Sequence, residues 1–423
     1  MTQTSRKSIK LLVVSQYYYP EQFRINDMCA EWVKRGYDVT VVTGIPNYPQ
    51  GRFYSGYGWI NNRKETHDGV KIIRLPIISR GTSKIRLGLN YLSFVVSGYF
   101  WKVFTRQKAD IVFSFEVSPM TQVLPAVWFA NRRKISCIVY VQDLWPDNFQ
   151  ETTGIKDGLL VRLITRITNY IYHQCKLILV TSNSFKKAVE NRGVPGEKVV
   201  FWPQYAEDFN KPSATVSPLV PLDNRFTIAY TGNIGTAQWL EILPKVALLL
   251  RGKGAQVRFL LVGDGRGMPA LKDAIMQLDV EDYFHFISQQ PPQTIPSILA
   301  GADAAFISFV NKPLFQMTIP AKLQSYMACG MPIIAAAGGE TRQVIEEAKC
   351  GWCCNSGDTE GLANIIVDFM EHPKNEKEEM KANAIDYSEV HYNRKSLMDR
   401  MDAYLLEAVA DAAMKGKNES SFH

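Results

Sequence analysis

RFTIAYTGNIGTAQWLEIL, residues 225–243, is the stretch from which the rest of the chain is best read. Phe226 to Thr231 is a short apolar run with β-branched and aromatic residues, stopped by Gly232, which is the pattern of a buried strand. Gly235 closes the turn, and Leu240, Ile242 and Leu243 begin an apolar helical face. Strand, glycine turn and helix in that order make a βα unit, so its neighbouring strands should be parallel. The turn also predicts a diphosphate site, because N–H groups exposed at the positive end of a helix attract anions. An ordinary tight βα turn reads the same way.

Outward from this unit the pattern repeats. Downstream lie VRFLLVG, YFHFI, ADAAFISF and PIIAA, and LLVGDGRGMPAL (260–271) ends its strand in a second glycine turn, Gly263-Asp264-Gly265. Upstream, IKLLVVS, VTVVTG, VKIIRLP, IVFSF, ISCIVYVQ and LILVTS read as strands separated by amphipathic stretches. Periodicity stops between Pro203 and Asn224 in a Pro- and Ser-containing segment. The expectation is an α/β chain of two doubly wound, parallel-sheet, Rossmann-like domains: 1–203, a linker over 204–224, 225–385, and C-terminal helices over 386–423 that pack back toward the first domain and end in a mobile polar terminus. Ligands of such sheets bind beyond the carboxyl ends of the strands, so the two domains should face each other across a cleft.

A chain of 423 residues exceeds one ordinary core, and 46% hydrophobic with 21% charged residues excludes disorder for most of its length. The net charge of +7 is unevenly spread: residues 1–210 hold 28 Lys+Arg against 16 Asp+Glu, and the remainder 20 against 25. A basic first half suggests a polyanionic partner, nucleic acid or an anionic membrane surface. No nucleic-acid reader motif accompanies the charge, so nucleic acid is not expected. Met1–Ser8 is polar and runs directly into a strand, so no signal peptide is expected and the protein should stay cytoplasmic. Seven cysteines lack framework spacing, and Cys350-x-x-Cys353 is read as a buried turn rather than a metal or redox pair. The six histidines show no ligand spacing and there is no paired-Asp motif, so neither a catalytic metal nor another cofactor is expected.

LGLNYLSFVVSGYFWKVF (87–104) is almost wholly apolar, with Lys84, Arg86, Arg106 and Lys108 as flanks. VKIIRLP before it and IVFSF after it should share one sheet, which argues against a spanning helix. In-plane docking on the inner face of the cell membrane is the expectation, through Lys84, Arg86, Phe94, Phe100, Trp101 and Lys102. A buried crossover helix is the alternative.

GNIG, VGDG and PAKLQSYMACGMPII, in that order and spacing, resemble the donor-binding domain of retaining glycosyltransferases of family four, which have the GT-B architecture. QYYYPEQFRIN, WVKRGYDVTVVTGIPNYPQGRFYSGY, DGVKIIRLP and VQDLWPDN resemble the subgroup of bacterial O-antigen N-acetylfucosaminyltransferases, and the likeness covers roughly residues 9–400. The resemblance implies a nucleotide-sugar donor, UDP-linked, and retention at the anomeric carbon. It implies donor contacts from Gly232, Asn233, Ile234 and Gly235, from Gly263, Asp264 and Gly265, and from Gln316, Lys322, Leu323 and Gln324. Gln316 and Gln324 stand where the family has two glutamates, and Lys322 is left as the cation for the diphosphate.

Asp143 follows ISCIVYVQ, where a carboxylate at a strand's carboxyl end would reach the reacting centre; a helix N-cap is the alternative. Gln142 beside it stands where many family members have His. Tyr18, Glu21 and Arg24 after the first strand, with Asn47, Tyr48 and Arg52 after the second, are expected to hold the acceptor. The basic half and the 87–104 segment point to a membrane-bound, lipid-diphosphate-linked acceptor, and the resemblance implies that it is a polyprenyl-diphosphate-linked glycan of bacterial surface polysaccharide synthesis (O-antigen or capsule). The rival readings are a sugar-nucleotide epimerase of the same fold and a non-catalytic binding subunit.

Overall fold

The computed structural model describes residues 8–420, with side chains as far as residue 414. The chain divides into two compact units. One comprises the chain to Val180, Lys186–Phe201 and the chain from Arg400; the other comprises Thr181–Phe185 and Trp202–Asp399.

The first unit is built on β1 (Lys10–Val14), β2 (Asp38–Gly44), β3 (Lys64–His67), β4 (Val70–Leu75), β5 (Ile111–Glu116), β6 (Cys137–Val141), β7 (Leu177–Val180) and β8 (Val199–Phe201), in the order β3-β4-β2-β1-β5-β6-β7-β8. β3 alone pairs antiparallel, with β4. Its helices include α1 (Arg24–Lys34), α2 (Lys84–Phe104), α3 (Leu124–Arg133), α4 (Asp147–Thr153) and α5 (Leu159–Gln174). β1, β5 and β6 are buried almost throughout, as a sheet covered on both faces requires. Beside β1 the strand order reverses, β2 lying on one side and β5 on the other.

The second unit carries β9 (Phe226–Thr231), β10 (Val257–Val262), β11 (Phe284–Ile287), β12 (Ala304–Ser308), β13 (Ile333–Ala336) and β14 (Gly351–Cys354), all parallel, in the order β11-β10-β9-β12-β13-β14. Here the order reverses at β9, between β10 and β12.

Three expectations change. Residues 204–224 are not a linker but part of the second unit: Tyr205 and Val220 are buried, Val216 and Val220 pack on Gly301, and the buried Arg258 bonds the Pro221 carbonyl and pairs with Asp223. Of the C-terminal helices only the chain from Arg400 belongs to the first unit, where Asp402 pairs with Arg35 at 2.8 Å, Asp411 with Lys176, and the Ala408 carbonyl accepts from Ser136. The terminus expected to be mobile continues the last helix as far as Ser420, and only the final three residues lie outside the described residues. Finally, Cys350-x-x-Cys353 is not a turn: Gly351–Cys354 is an edge strand, whose alternation sends Cys353 and Cys354 to opposite faces.

α2 buries a stripe at helical spacing, Asn90, Phe94 and Gly98. Gly98 lies so close to Pro125 of α3 that any side chain there would overlap the ring. Phe94 is therefore core and cannot meet lipid, contrary to expectation. Trp101 is half-buried, stacked on Phe129 at 5.2 Å, and the Lys102 ammonium sits 4.5 Å from the Tyr99 ring centre. Lys84, Arg86 and Phe100 are exposed, and with them an apolar stripe of Ile85, Leu89, Leu92, Val96 and Phe104. No helix among the described residues is long and apolar enough to cross a membrane.

Candidate active site

In the second unit, the loops after β9 and β10 pack backbone to backbone. Gly232 has φ +117° and Gly263 φ +136°, conformations that L side chains rarely adopt, and a side chain on Gly263 would overlap the Gly232 carbonyl. Gly265 is pressed against the Ile234 carbonyl in the same way. Gly232 N–H donates to Val262 O, Ile234 N–H to Asp264 O at 2.9 Å, and Gly235 N–H to Gln238 Oε1 at 3.1 Å. Three of the four amides of the GNIG turn are thus spent inside the protein. Nor does a helix start at the turn: a 3-10 turn at Leu240–Ile242 precedes the helix Leu243–Gly252, after Trp239 in the left-handed region. The turn is a locked platform rather than the open helix terminus expected.

What the platform presents is a cation. Lys322, at the start of the helix Ala321–Ala328, places Nζ 3.9 Å from where a side chain on Gly232 would begin, and 3.6 Å from the centre of the Tyr230 ring. The ring face favours the ammonium. Desolvation works against it and lowers its pKa to about 7. The same helix is tied to the strand end by the Tyr326 hydroxyl, which accepts from Thr231 N–H at 2.7 Å. Gly232, Asn233, Asp264 and Lys322 therefore lie together at the carboxyl edge of β9 and β10, beside the reversal of strand order where ligands of such sheets bind. Gly232, Asn233 and Asp264 are exposed there, and Asp264 Oδ1 caps Gly265 N–H.

The remaining donor candidates separate. Ile234 and Leu323 are core side chains, 1% and 0% exposed. Gln324 is buried, and its amide in the orientation that satisfies its surroundings donates to Pro320 O and Ala321 O. Gln316 lies on the Gly338-Gly339 turn and donates to Asn311 Oδ1 at 3.2 Å.

In the first unit, Asp143 follows β6 and is not a helix cap, since α4 begins four residues later behind Pro146. Its Oδ2 accepts from Ser118 N–H at 2.8 Å and from Ser118 Oγ–H at 2.6 Å. Ser118 Oγ in turn accepts from Trp145 Nε1 and Asn148 Nδ2, so the carboxylate is aimed by a chain of fixed donors. Behind it lies Glu116, the last residue of β5, whose Oε2 accepts from Asp143 N–H at 3.3 Å while Oε1 is buried with no hydrogen-bond partner among the described residues. Burial and the neighbouring Asp143 charge hold the Glu116 carboxyl well above the usual range. Burial also raises Asp143, but the Ser118 and Asn148 donors oppose that shift. Of the pair, Asp143 is the one equipped to carry the charge.

Residues that sequence reasoning missed stand beside it. Arg80, after β4, donates to the Tyr17 hydroxyl at 3.0 Å and lies over the Tyr48 ring. Tyr91 of α2 hydrogen-bonds Tyr17 and lies within reach of the charges of Arg80 and Asp143. The carboxyl edge of this sheet thus gathers a cation, three tyrosines and an oriented carboxylate. Glu116 carried one signal in the sequence, a charge closing an otherwise apolar strand.

The expected acceptor residues are mostly structural. Glu21 is buried; Oε1 accepts from Asn47 N–H and Tyr48 N–H at 2.7 and 2.6 Å, and Oε2 from Tyr18 N–H. Burial raises it to about 7 against those donors. Asn47 is fully buried and clamps the Arg80 amide and Ile45 O. Tyr18 is core, beside the Cys29 thiol. Tyr48 stays accessible near Arg80, and Arg52 is exposed on a separate hollow with Gln50, Phe53 and Tyr54. Arg24 opens α1, and both it and Gln142 act electrostatically on the buried Tyr140 hydroxyl.

Residues 22–204 match the family model of the glycosyl transferase 4-like domain, and residues 218–387 that of glycosyl transferases group 1. The chain is 25% identical over 352 residues to WcaI of Escherichia coli K12, a protein named as a colanic acid biosynthesis glycosyl transferase, spanning 79% of this chain and 84% of that one. Its fold is similar to that of sucrose-phosphate synthase from Thermosynechococcus elongatus, with TM-score 0.74 and 14% identity over 96% of this chain and all of that one. It is similar too to HepE of Anabaena in complex with UDP-glucose, with TM-score 0.66 and 13% identity over 94% of this chain and all of that one. With the two domain families in sequence along the chain and two doubly wound parallel sheets to match, this protein belongs to the glycosyltransferases of the GT-B fold.

Proposed function

We propose that the protein transfers a sugar from a UDP-sugar to a polyprenyl-diphosphate-linked glycan, with retention at the anomeric carbon, during assembly of a bacterial surface polysaccharide. The observation that carries the donor is Lys322 over the locked Gly232–Gly263 platform: one cation at the reversal point of a parallel sheet. The fold likeness to HepE, crystallised with UDP-glucose, supports the same ligand class, and the name of WcaI supports surface polysaccharide. In this reading the acceptor hydroxyl attacks the anomeric carbon, the sugar–phosphate bond breaks with its electron pair on the β-phosphate, and Lys322 rather than a metal ion meets that charge. Asp143, held by Ser118, is the carboxylate of the first unit equipped to take the proton of the acceptor hydroxyl. The exposed stripe of α2, with Lys84, Arg86 and Phe100, holds the enzyme to the inner face of the membrane where a lipid-linked acceptor resides.

A panel of UDP-sugars is titrated against the protein with EDTA present, and the best binder is then incubated, radiolabelled, with extracted lipid-linked glycans. Saturable binding followed by label in the lipid fraction is the expected outcome. Conversion of the donor to an isomeric sugar nucleotide without acceptor would replace transfer by epimerisation, and binding without any turnover would leave a binding subunit.

A further inference from the structure

The first sheet has a second polar feature, away from its carboxyl edge. A cavity of about 750 Å³ opens where Lys10 and Asp38 start β1 and β2, where Lys71, Ile73 and Leu75 alternate onto one face of β4, and where α2 ends in Trp101 and Phe104. Arg63, Lys64, Arg106 and Lys108 complete its polar wall. Six cations thus surround one anion, Asp38, which is already paired with Lys71 at 2.7 Å. Arg63 is committed to the backbone carbonyls of Trp59 and Arg74. Among the described residues, the side chains of Lys10, Lys64, Arg106 and Lys108 form no ion pair. Against these four charges stands only the Asp110 carboxylate nearby, which accepts from Lys10 N–H at 2.7 Å, so the excess of positive charge around the hollow favours a bound anion.

The lip of the hollow is not polar. Phe104 is 78% exposed there and ends the apolar stripe that runs along α2 through Phe100, Val96, Leu92 and Leu89 to Ile85. A soluble anion would need the charges alone; a stripe that leads into them fits an amphiphile, phosphate in the hollow and chain across Phe104. We propose that this hollow is a head-group site for an anionic phospholipid of the membrane. The inference rests on the membrane docking proposed above and adds to it an orientation. α2 has 21 residues and is about 30 Å long. Arg86 near its start bonds Ser79, next to Arg80 and the Asp143 neighbourhood, while the hollow lies at its far end. A lipid held there keeps the helix flat on the bilayer, with the carboxyl edge of the sheet at the head-group level.

The test is co-sedimentation of the full chain with vesicles of phosphatidylcholine, alone or mixed with phosphatidylglycerol. Three variants are compared, each checked for an unchanged melting temperature: Arg106→Gln with Lys108→Gln in the hollow, Leu92→Ser with Phe100→Ser on the stripe, and Lys253→Gln with Lys272→Gln on the second unit as a charge control. Removing two cations that face anionic lipid should lower partition onto phosphatidylglycerol vesicles on the order of 25-fold. The control pair should change it little. Equal losses from the hollow and control pairs, or no loss from the hollow pair while the stripe pair fails to bind, overturns the head-group site and leaves the docking intact. Absence of vesicle binding by the unaltered protein overturns the docking itself. Stabilisation by inorganic phosphate that the hollow pair abolishes, with vesicle binding unaffected, makes the hollow a site for soluble anions and overturns the lipid assignment.

Discussion

With the donor diphosphate on Lys322, as proposed above, donor binding becomes a proton-linked event. In the empty site desolvation lowers its pKa from 10.5 to about 7, so near neutral pH about half the molecules carry the charge. A diphosphate beside Nζ favours the ammonium and lifts that pKa out of the working range, so binding must recruit a proton in the fraction of molecules whose lysine is neutral, a fraction that grows above pH 7. Affinity should then be flat below pH 6 and fall about tenfold per pH unit above pH 8, a loss of about 50-fold between pH 7 and pH 9. The empty protein should respond in the opposite sense. Its folded-state pKa lies below that of the unfolded chain, so from pH 7 to about pH 10 the unfolded state binds more protons and this residue's contribution to stability rises with pH. The assay is calorimetric titration with a UDP-sugar, whose diphosphate does not titrate in this range, in two buffers of different ionisation enthalpy. Proton uptake per donor should climb from about one half at pH 7 toward one at pH 9. Lys322→Met should bind more weakly and without the pH dependence. A flat profile in the unaltered protein, or the same slope in Lys322→Met, would refute the placement of Lys322 on the diphosphate.

Asp143→Asn keeps the shape and removes the charge, so single-turnover transfer should fall about 100-fold while donor affinity holds within a few-fold. Glu116→Gln should retain most of that transfer rate, because burial and the neighbouring Asp143 charge favour the neutral acid that an amide resembles, whereas a large loss would show that the Glu116 charge is used. Gly263→Ala puts a methyl group into the Gly232 carbonyl at a positive φ, and a denaturant titration should show a loss above about 3 kcal/mol together with loss of donor binding. Gln324→Glu sets a carboxylate against Pro320 O and Ala321 O and should cost about 2 kcal/mol or more in the same titration.

The two sheets were legible because each central strand is an apolar run stopped by glycine or a polar turn. What escaped the reading lacked that signature. β3 is KETH, a polar edge strand with no buried face to alternate, and β14 is GWCC, in which the cysteines drew attention away from the strand. The stretch 204–224 reads as a linker because its contacts are irregular, although Tyr205 and Val220 are core. In the site, the glycines were legible, since close approach and positive φ demand them, but the uses of the amides between them were not. Polar residues after a strand either meet a ligand or satisfy the loop that carries them. Glu21 and Asn47 do the second, with partners up to 33 residues away that no local pattern announces. Asp143 and Ser118 are 25 residues apart, and their pairing appears only when β5 and β6 lie side by side. Phe94 failed for another reason. In a helix apolar on nearly every side, composition cannot say which face is covered, and the tight seat of Gly98 on Pro125 decides it.

Gln316 and Gln324, which the resemblance sets where the family has glutamates, each have a local role in the fold. Gln324 donates to two carbonyl oxygens at the start of its own helix, which a carboxylate cannot do, so the amide is required by the fold wherever the donor sits. Gln316 covers Gly338 and Gly339 at the start of the helix Gly339–Glu347, whose first turn already holds the carboxylate of Glu340, so an amide there adds no second negative charge. Neither position contributes negative charge to the neighbourhood of Lys322. Although Asp264 stands at the same edge, desolvation is what moves the lysine's pKa, and in the proposed site its charge is completed when the diphosphate arrives. In the proposed site the depressed lysine thus takes its counter-charge from the donor itself.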